Sequence, residues 1–472
     1  METMMSFSKM VFPMTAFIAL SFSCATSSAV AAPAAGSSSS AKQAPVKQTQ
    51  AASPEVRFAQ NLNTALEKGS LEDALKLFDT MPAAAKTEDT EALKASLLLS
   101  AGRDAEAETL AKELLAQNPN NVDVLQLNVM VAKKKGDTRT KSTLLKQILT
   151  IDPKNAGANI ELASEQALKH NYRNARDYFQ KALLSEPNNT EALFGYAKMS
   201  YYLQKDDDAK KAFEKIIALD PEDAAPYAYL GKLEGEVKRY RNALNYINKA
   251  LELDPNNTTY FLDKGTYSRF VGDYKGAEAA WKKAVENDPD YFLGYAYLAG
   301  LYDEQEQFDK ALEAYRKVVE KNPQYYYAYE SLGIFAWHRS SWGEARAAFE
   351  KALSKKGDST SYMLMIAACY WKEGNTVQMK KLLENCMKGL DRTSLDYVIV
   401  RLYHDMAGDG QALNKVVQEK NSTIRGKMLF YMALYYELMN KSELSQKYYV
   451  SVTDMEGARF FEYRLAEWSV QP

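Results

Sequence analysis

Along most of this chain apolar side chains recur at helical spacing in short blocks, and the blocks come in pairs. Tyr227, Leu230 and Gly231 form one block and Ala243, Ile247 and Ala250 the next, with the polar "KRYRN" between them. Each pair reads as two amphipathic helices joined by a tight turn. The phrase then repeats: "DAKKAFEKIIALDPED" at 208–223, "NALNYINKALELDPNN" at 242–257 and "GAEAAWKKAVENDPDY" at 276–291 lie 34 residues apart.

Other marks keep the same step. Pro119, Pro153, Pro187, Pro221, Pro255, Pro289 and Pro323 fall where a second helix must stop, because proline cannot continue it. A small residue returns at Ala163, Ala197, Gly231, Gly265, Ala299 and Gly333, where it would let two helix backbones approach. Alanine returns at 175, 209, 243, 277, 311 and 345, followed four residues on by Phe179, Phe213, Ile247, Trp281, Tyr315 or Phe349. Asn or Thr after the proline, as in "PNNT", is suited to cap the following helix.

This order of small residue, alanine, bulky residue and proline resembles the tetratricopeptide repeat, a 34-residue helix-turn-helix. It is most specific over 156–357 and weaker upstream to about residue 55, where Ala74 and Phe78 fit but Pro82 comes early. Downstream, Gly357 replaces the proline, "SYMLMIAACYWKEGN" keeps only the first-helix pattern, and 394–421 and 426–455 read as further hairpins. About twelve hairpins over 55–456 are expected, in an all-α fold. The resemblance implies a right-handed superhelical solenoid. One hairpin cannot stand alone: ordering its residues costs roughly 50 kcal/mol at ~1.5 per residue, which needs about 2,000 Å² of apolar burial. Stacked neighbours share that burial, giving a curved rod on the order of 100 Å along its contour.

Residues 457–472 are expected to close the array as a capping helix and tail. "GARFFEYRLAEWSV" sets Phe461, Leu465 and Trp468 on one face, with Arg464 and Glu467 directed away, as a lid on the last hairpin. The opposite end differs in kind. Met10 to Phe22, behind Lys9, has the length of a signal-peptide core rather than of a membrane span, so residues 1–31 are expected to be an export leader. Glu2 sits awkwardly in the positive region, and Met4 or Met5 would serve as the start. Two processing routes fit: cleavage at Ala29-Val30-Ala31, or lipidation at Cys24. Around Cys24 the lipoprotein box departs from pattern, with Leu20 four residues before it and Phe22 in a small-residue slot. Residues 32–54 are Ala/Ser/Gln/Pro-rich and cannot bury enough surface to order themselves, so they read as a flexible linker.

Chemistry narrows the function. Lys+Arg 59 against Asp+Glu 61 leaves a net charge of -2, which argues against nucleic acid as a partner. His170, His338 and His404 are far apart and make no metal spacing. "DDD" at 206–208 reads as an inter-helix turn without calcium-loop spacing, and "KKK" at 133–135 as a solvated patch at a helix end. Cys369 and Cys386 lie on the apolar faces of the two helices of one hairpin, either as buried thiols or as a disulfide. No nucleophile elbow, phosphate loop or dinucleotide fingerprint is present, so neither enzyme activity nor a cofactor is expected.

The resemblance further implies that first helices line a concave groove. Its candidate residues here are Phe194, Lys198, Tyr201, Tyr202, Lys232, Arg269, Phe270, Glu304, Tyr327, Trp337 and Trp371. Slots that in some members clamp a terminal carboxylate hold Gln126, Met130, Ile160, Ser164, Phe194 and Lys198, so that clamp is missing. Aromatic and mixed-charge side chains suit an extended or helical protein segment, with Lys198 and Arg269 pairing acidic groups. The expected role is therefore an exported interaction scaffold binding a protein or peptide in the bacterial cell envelope, periplasmic or, by way of Cys24, membrane-held. The competing expectation is a small-molecule or lipid carrier serving a transporter.

Overall fold

The structure, a computed structural model, describes residues 53–357, 359–457 and 460–470. The expected leader with Cys24, nearly all of the linker and the last two residues lie outside the described residues. The chain divides into two compact units at Pro221/Glu222. Among the described residues every regular element is helical.

The first unit holds five helix pairs: α1 (Pro54–Glu67) with α2 (Leu71–Asp79), α3 (Glu88–Ser100) with α4 (Asp104–Gln117), α5 (Val122–Lys135) with α6 (Thr138–Ile151), α7 (Ala156–Leu168) with α8 (Tyr172–Ser185), and α9 (Thr190–Tyr202) with α10 (Asp206–Leu219). A single 3-10 turn, Ala83–Ala85, follows α2. In the second unit α11 (Ala224–Glu236) pairs with α12 (Tyr240–Leu253), α13 (Thr258–Phe270) with α14 (Tyr274–Asn287), α15 (Phe292–Glu304) with α16 (Phe308–Lys321), and α17 (Tyr326–His338) with α18 (Trp342–Lys356). Then come α19 (Thr360–Lys372) with α20 (Thr376–Gly389), α21 (Leu395–Asp405) with α22 (Asp409–Gln418), α23 (Ser422–Leu438) with α24 (Ser442–Thr453), and a last helix, α25 (Phe461–Val470). Each pair packs on the next within its unit, so burial is shared between neighbours as stacked repeats require.

Each repeated residue has a visible task. The alanines at 175, 209, 243, 277, 311 and 345 are fully buried, and so are their bulky followers except the partly exposed Tyr315. The prolines stand two residues after the end of a second helix. Asn121, Asn155, Asn189, Asp223 and Asn257 cap the next first helix, their side-chain oxygens accepting backbone N–H bonds from its first turn at 2.9–3.4 Å. The small positions work in two ways. At Gly231 the nearest neighbour is the Ala243 carbonyl, the backbone approach expected; at Gly265 and Gly333 the missing side chain makes room for the rings of Trp281 and Phe349.

One register was not read from the sequence. The turn inside each pair carries a left-handed residue at Gly102, Gly136, His170, Gln204, Lys238, Gly272, Glu306, Ser340 and Gly374, again 34 apart. Its amide, and the next, turn back onto the preceding helix, as Lys238 N to Gly235 O at 2.9 Å and Arg239 N to Glu234 O at 2.8 Å. The two charged runs are also better placed than expected. Asp206–Asp208 form the first turn of α10, where the helix dipole favours them, and Asp208 bonds Arg176 at 2.6 Å. Lys133, Lys134 and Lys135 lie partly exposed in the last turn of α5 and also reach neighbouring helices, pairing with Glu161, Asp104 and Glu108 respectively.

Toward the end of the second unit the pattern thickens into its deepest core. All residues of α23 from Met428 to Tyr436 are buried, and a helix apolar on all sides must be surrounded. First helices α19 and α21 pack against it directly, while the Tyr403 hydroxyl donates to the Tyr431 carbonyl at 2.8 Å. Cys369 and Cys386 are buried here as free thiols.

Helix α25 lies on the last pair, where Gln446 donates to the Ser469 carbonyl at 3.0 Å and Tyr463 to that of Thr453 at 3.1 Å. It also reaches much farther than a lid on that pair. Phe461 meets Phe349 and Tyr362, and Trp468 meets Phe308, Phe335 and His338 at ring distances of 4.1–6.0 Å. Arg464, expected to point away, instead bonds Asp303 at 3.2 Å with its guanidinium 4.8 Å from the Trp468 ring centre. A planar cation stacks on aromatic faces while its stem stays apolar, so charge alone did not reveal its side of the helix.

Candidate functional site

Within each unit it is the first helices of neighbouring pairs that approach one another, as α3 with α5, α7 with α9, α11 with α13 and α19 with α21, while second helices make no comparable approach. The first helices therefore take the inner side of the curve, and their side chains off the inter-helix contact line it.

In the first unit the candidates gather at α9. Tyr202 is 44% exposed and stacks on Tyr172 at 4.9 Å, with Tyr201 5.6 Å from it. Phe194 is half-buried, edge-on to Phe213 at 5.9 Å. Lys198 has no ion-pair partner among the described residues and remains available for an acidic group. On α7 of the preceding repeat, burial acts to raise the Glu161 carboxyl, but Lys133 and Lys141 hold it below its usual range. Burial, with Glu161 nearby, raises that of Glu191.

In the second unit two expected cations are already engaged. Arg269 bonds Glu304 at 2.8 Å, and Lys232 stands 3.7 Å from Asp263 and 5.4 Å above the Tyr229 ring. Burial still lifts the Asp263 carboxyl above its ordinary range. Phe270 is 53% exposed and stacks on Tyr240 at 4.5 Å. Tyr327, 52% exposed, lies against Tyr326 at 4.0 Å and Tyr325 at 5.7 Å. Trp337 meets Trp342 edge-on at 4.8 Å; Trp371 is packed among Tyr403 and Tyr435.

These contacts expose a pattern that reasoning from helix faces missed. The first residue of a second helix touches the last residue of the next first helix: Tyr172 with Tyr202, Tyr240 with Phe270, Phe308 with His338, and Trp342 with Lys372. Each pair is 30 residues apart and stands at the rim of the inner face. The signal was present as the aromatic series 172, 240, 274, 308 and 342, spaced by 34 or twice that.

No group of three or more His, Cys, Asp or Glu among the described residues is placed to hold a metal ion, and no described helix is long and apolar enough to cross a membrane. Cavities of about 180 and 370 Å³ lie near Leu312 and Tyr370, both with charged linings that include Arg316 and Lys381.

Three segments match tetratricopeptide repeat models: residues 167–233, 226–257 and 298–361. Comparison with curated proteins finds no match. Similar solved structures include a tetratricopeptide repeat protein from Parabacteroides merdae ATCC 43184, at 18% identity over 52% of this chain and 97% of that one, with a TM-score of 0.41. Pseudomonas aeruginosa pilF matches at 16% identity over 43% of this chain and 92% of its own, with a TM-score of 0.38. YrrB, described as having an unusual peptide-binding site, matches at 21% identity over 42% and 97%, with a TM-score of 0.33.

Proposed function

We propose that this chain, whose residues 167–257 and 298–361 match tetratricopeptide repeat models, is a non-enzymatic scaffold that holds a protein or peptide segment on the inner faces of its first helices, exported and working in the bacterial cell envelope. The observations that carry the reading are half-exposed rings on first helices of each unit, Tyr202 in the first and Phe270 and Tyr327 in the second, each set against a second ring. Rigid aromatic faces give contact area at low entropic cost, which suits protein recognition. Lys198 supplies a nearby positive charge. Export rests on the apolar run of Met10 to Phe22, and a membrane tether on Cys24.

In-cell cross-linking of the mature chain, repeated with Tyr202→Ala and Phe270→Ala, tests the binding reading. A polypeptide captured by the native chain and reduced several-fold by these substitutions supports it; unchanged capture by folded variants rejects these rings as the site. A lipid recurrently extracted from the purified protein would favour the carrier instead. Palmitate labelling lost in Cys24→Ala establishes the anchor, and its absence in the native chain removes it.

A further inference from the structure

The inner face of the second unit already has an occupant. Helix α25 meets residues on three first helices: Asp303 on α15 through Arg464, His338 on α17 through Trp468, and Tyr362 on α19 through Phe461. Tyr362 in turn donates to the Glu330 carboxylate of α17 at 2.5 Å. Phe461, Arg464, Leu465 and Trp468 stand at i, i+3, i+4 and i+7, the spacing with which an amphipathic helix enters a groove.

Polar flaws in this contact set it apart from a permanent closure. Glu462 is fully buried; its Oε1 is 3.0 Å from the Tyr431 hydroxyl, but Oε2 has no hydrogen-bond partner among the described residues. The Tyr431 hydroxyl also serves the Ser361 carbonyl at 2.9 Å, and with one proton to give it satisfies both contacts only when the Glu462 carboxyl is protonated and donates to it. Arg464 Nε is likewise buried and unbonded. Groups left unsatisfied on burial weaken docking, so the helix is held less firmly than its aromatic contacts alone would hold it.

We propose that the inner face at α15, α17 and α19 is a helix-accepting site and that α25 is its resident occupant, displaced by a partner helix bearing an arginine and, four residues later on the same face, a tryptophan. This rests on the reading of the inner faces as peptide-binding. A resident attached through residues 454–460 competes at high effective concentration, so an incoming helix binds the intact chain weakly and a chain with a loosened resident strongly.

The probe is a fluorescent peptide of residues 460–472, its binding to full-length chains followed by anisotropy. Trp468→Ala in the chain is expected to raise affinity for the native-sequence peptide at least tenfold. The Asp303→Arg chain should prefer an Arg464→Asp peptide over the native-sequence peptide by tenfold or more, the reverse of the preference in the Trp468→Ala chain. Asp303 and Arg464 are both partly exposed, so this exchange does not threaten the fold. The proposal is overturned if neither chain gains affinity while hydrogen exchange shows α15 to α19 intact. Loss of protection throughout α15 to α19 in both variants also overturns it, because α25 is then a structural closure. No outside partner enters this assay, so its failure leaves the cross-linking test of the scaffold reading untouched.

Discussion

Replacing Gly265 by alanine should destabilise the second unit, although alanine is the better helix former. An added Cβ would stand 2.3 Å from Nε1, 2.5 Å from Cδ1 and 2.6 Å from Cε2 of Trp281. The indole cannot yield easily: it is 2% exposed, stacked on Tyr297 at 5.2 Å, and its Nε1–H donates to the Leu262 carbonyl at 3.1 Å. Overpacking of this kind costs about 1–3 kcal/mol, and losing the indole hydrogen bond about 1 more. Removing a helical glycine returns about 1 kcal/mol. The net expectation is a loss of about 1–3 kcal/mol. Gly300→Ala is the matched control, because on α15 nothing lies within 4 Å of its added Cβ, and it should gain up to ~1 kcal/mol. Denaturant titration gives the global effect, and hydrogen exchange locates the loss to α13 and α14, which matters because repeat arrays need not unfold in one step. If Gly265→Ala and Gly300→Ala behave alike, the ring does not occupy the glycine's space and the packing reasoning fails.

Lys238→Gly should stabilise by about 1 kcal/mol, read as a higher urea midpoint, because a side chain in the left-handed turn is strained and glycine is not. Burial raises the Glu462 carboxyl above the ordinary glutamate value of roughly 4.3, with Ser361, Lys427 and Tyr431 pulling the other way. The docked helix therefore holds a proton that the free helix loses, so docking is strongest below the ordinary value and weakens as pH climbs through the raised one. Exchange protection of 461–470, corrected for intrinsic rates, should fall over that window; Glu462→Gln should flatten it. Glu330, raised by its own burial, adds a slope of the same sign. Burial pushes the Cys369 thiol well above its usual range, so a thiol reagent should modify it only as fast as the region unfolds. Rapid labelling in native buffer would contradict that placement.

What the sequence disclosed was whatever the repeat enforces locally. Pro255 ends α12, Ala243 is buried between α11 and α12, and Asn257 caps α13, each through contacts a few residues to one repeat long. The left-handed turn was harder to see because His170, Gln204, Lys238, Glu306 and Ser340 occupy it, and only Gly102, Gly136, Gly272 and Gly374 announce the geometry. For the candidate site, the aromatic composition of the inner rim was legible but its electrostatics were not. Arg269 and Glu304 belong to successive repeats and satisfy each other, so neither is free for a ligand without breaking that bond. Least legible was α25: Arg464 and Asp303 are 161 residues apart, and no periodic pattern links a unique terminal helix to a repeat so far upstream.

That separation also sets an order in time. Units of a growing chain fold as they emerge, at roughly 5–20 residues per second, so α15 can be complete some ten to thirty seconds before Arg464 is synthesised. During translation the surface that α25 will cover stands vacant, and a helix from another polypeptide meets no rival there. If that surface accepts a helix as proposed, a chain still emerging, from the ribosome or across a membrane, is more open to capture than the finished one.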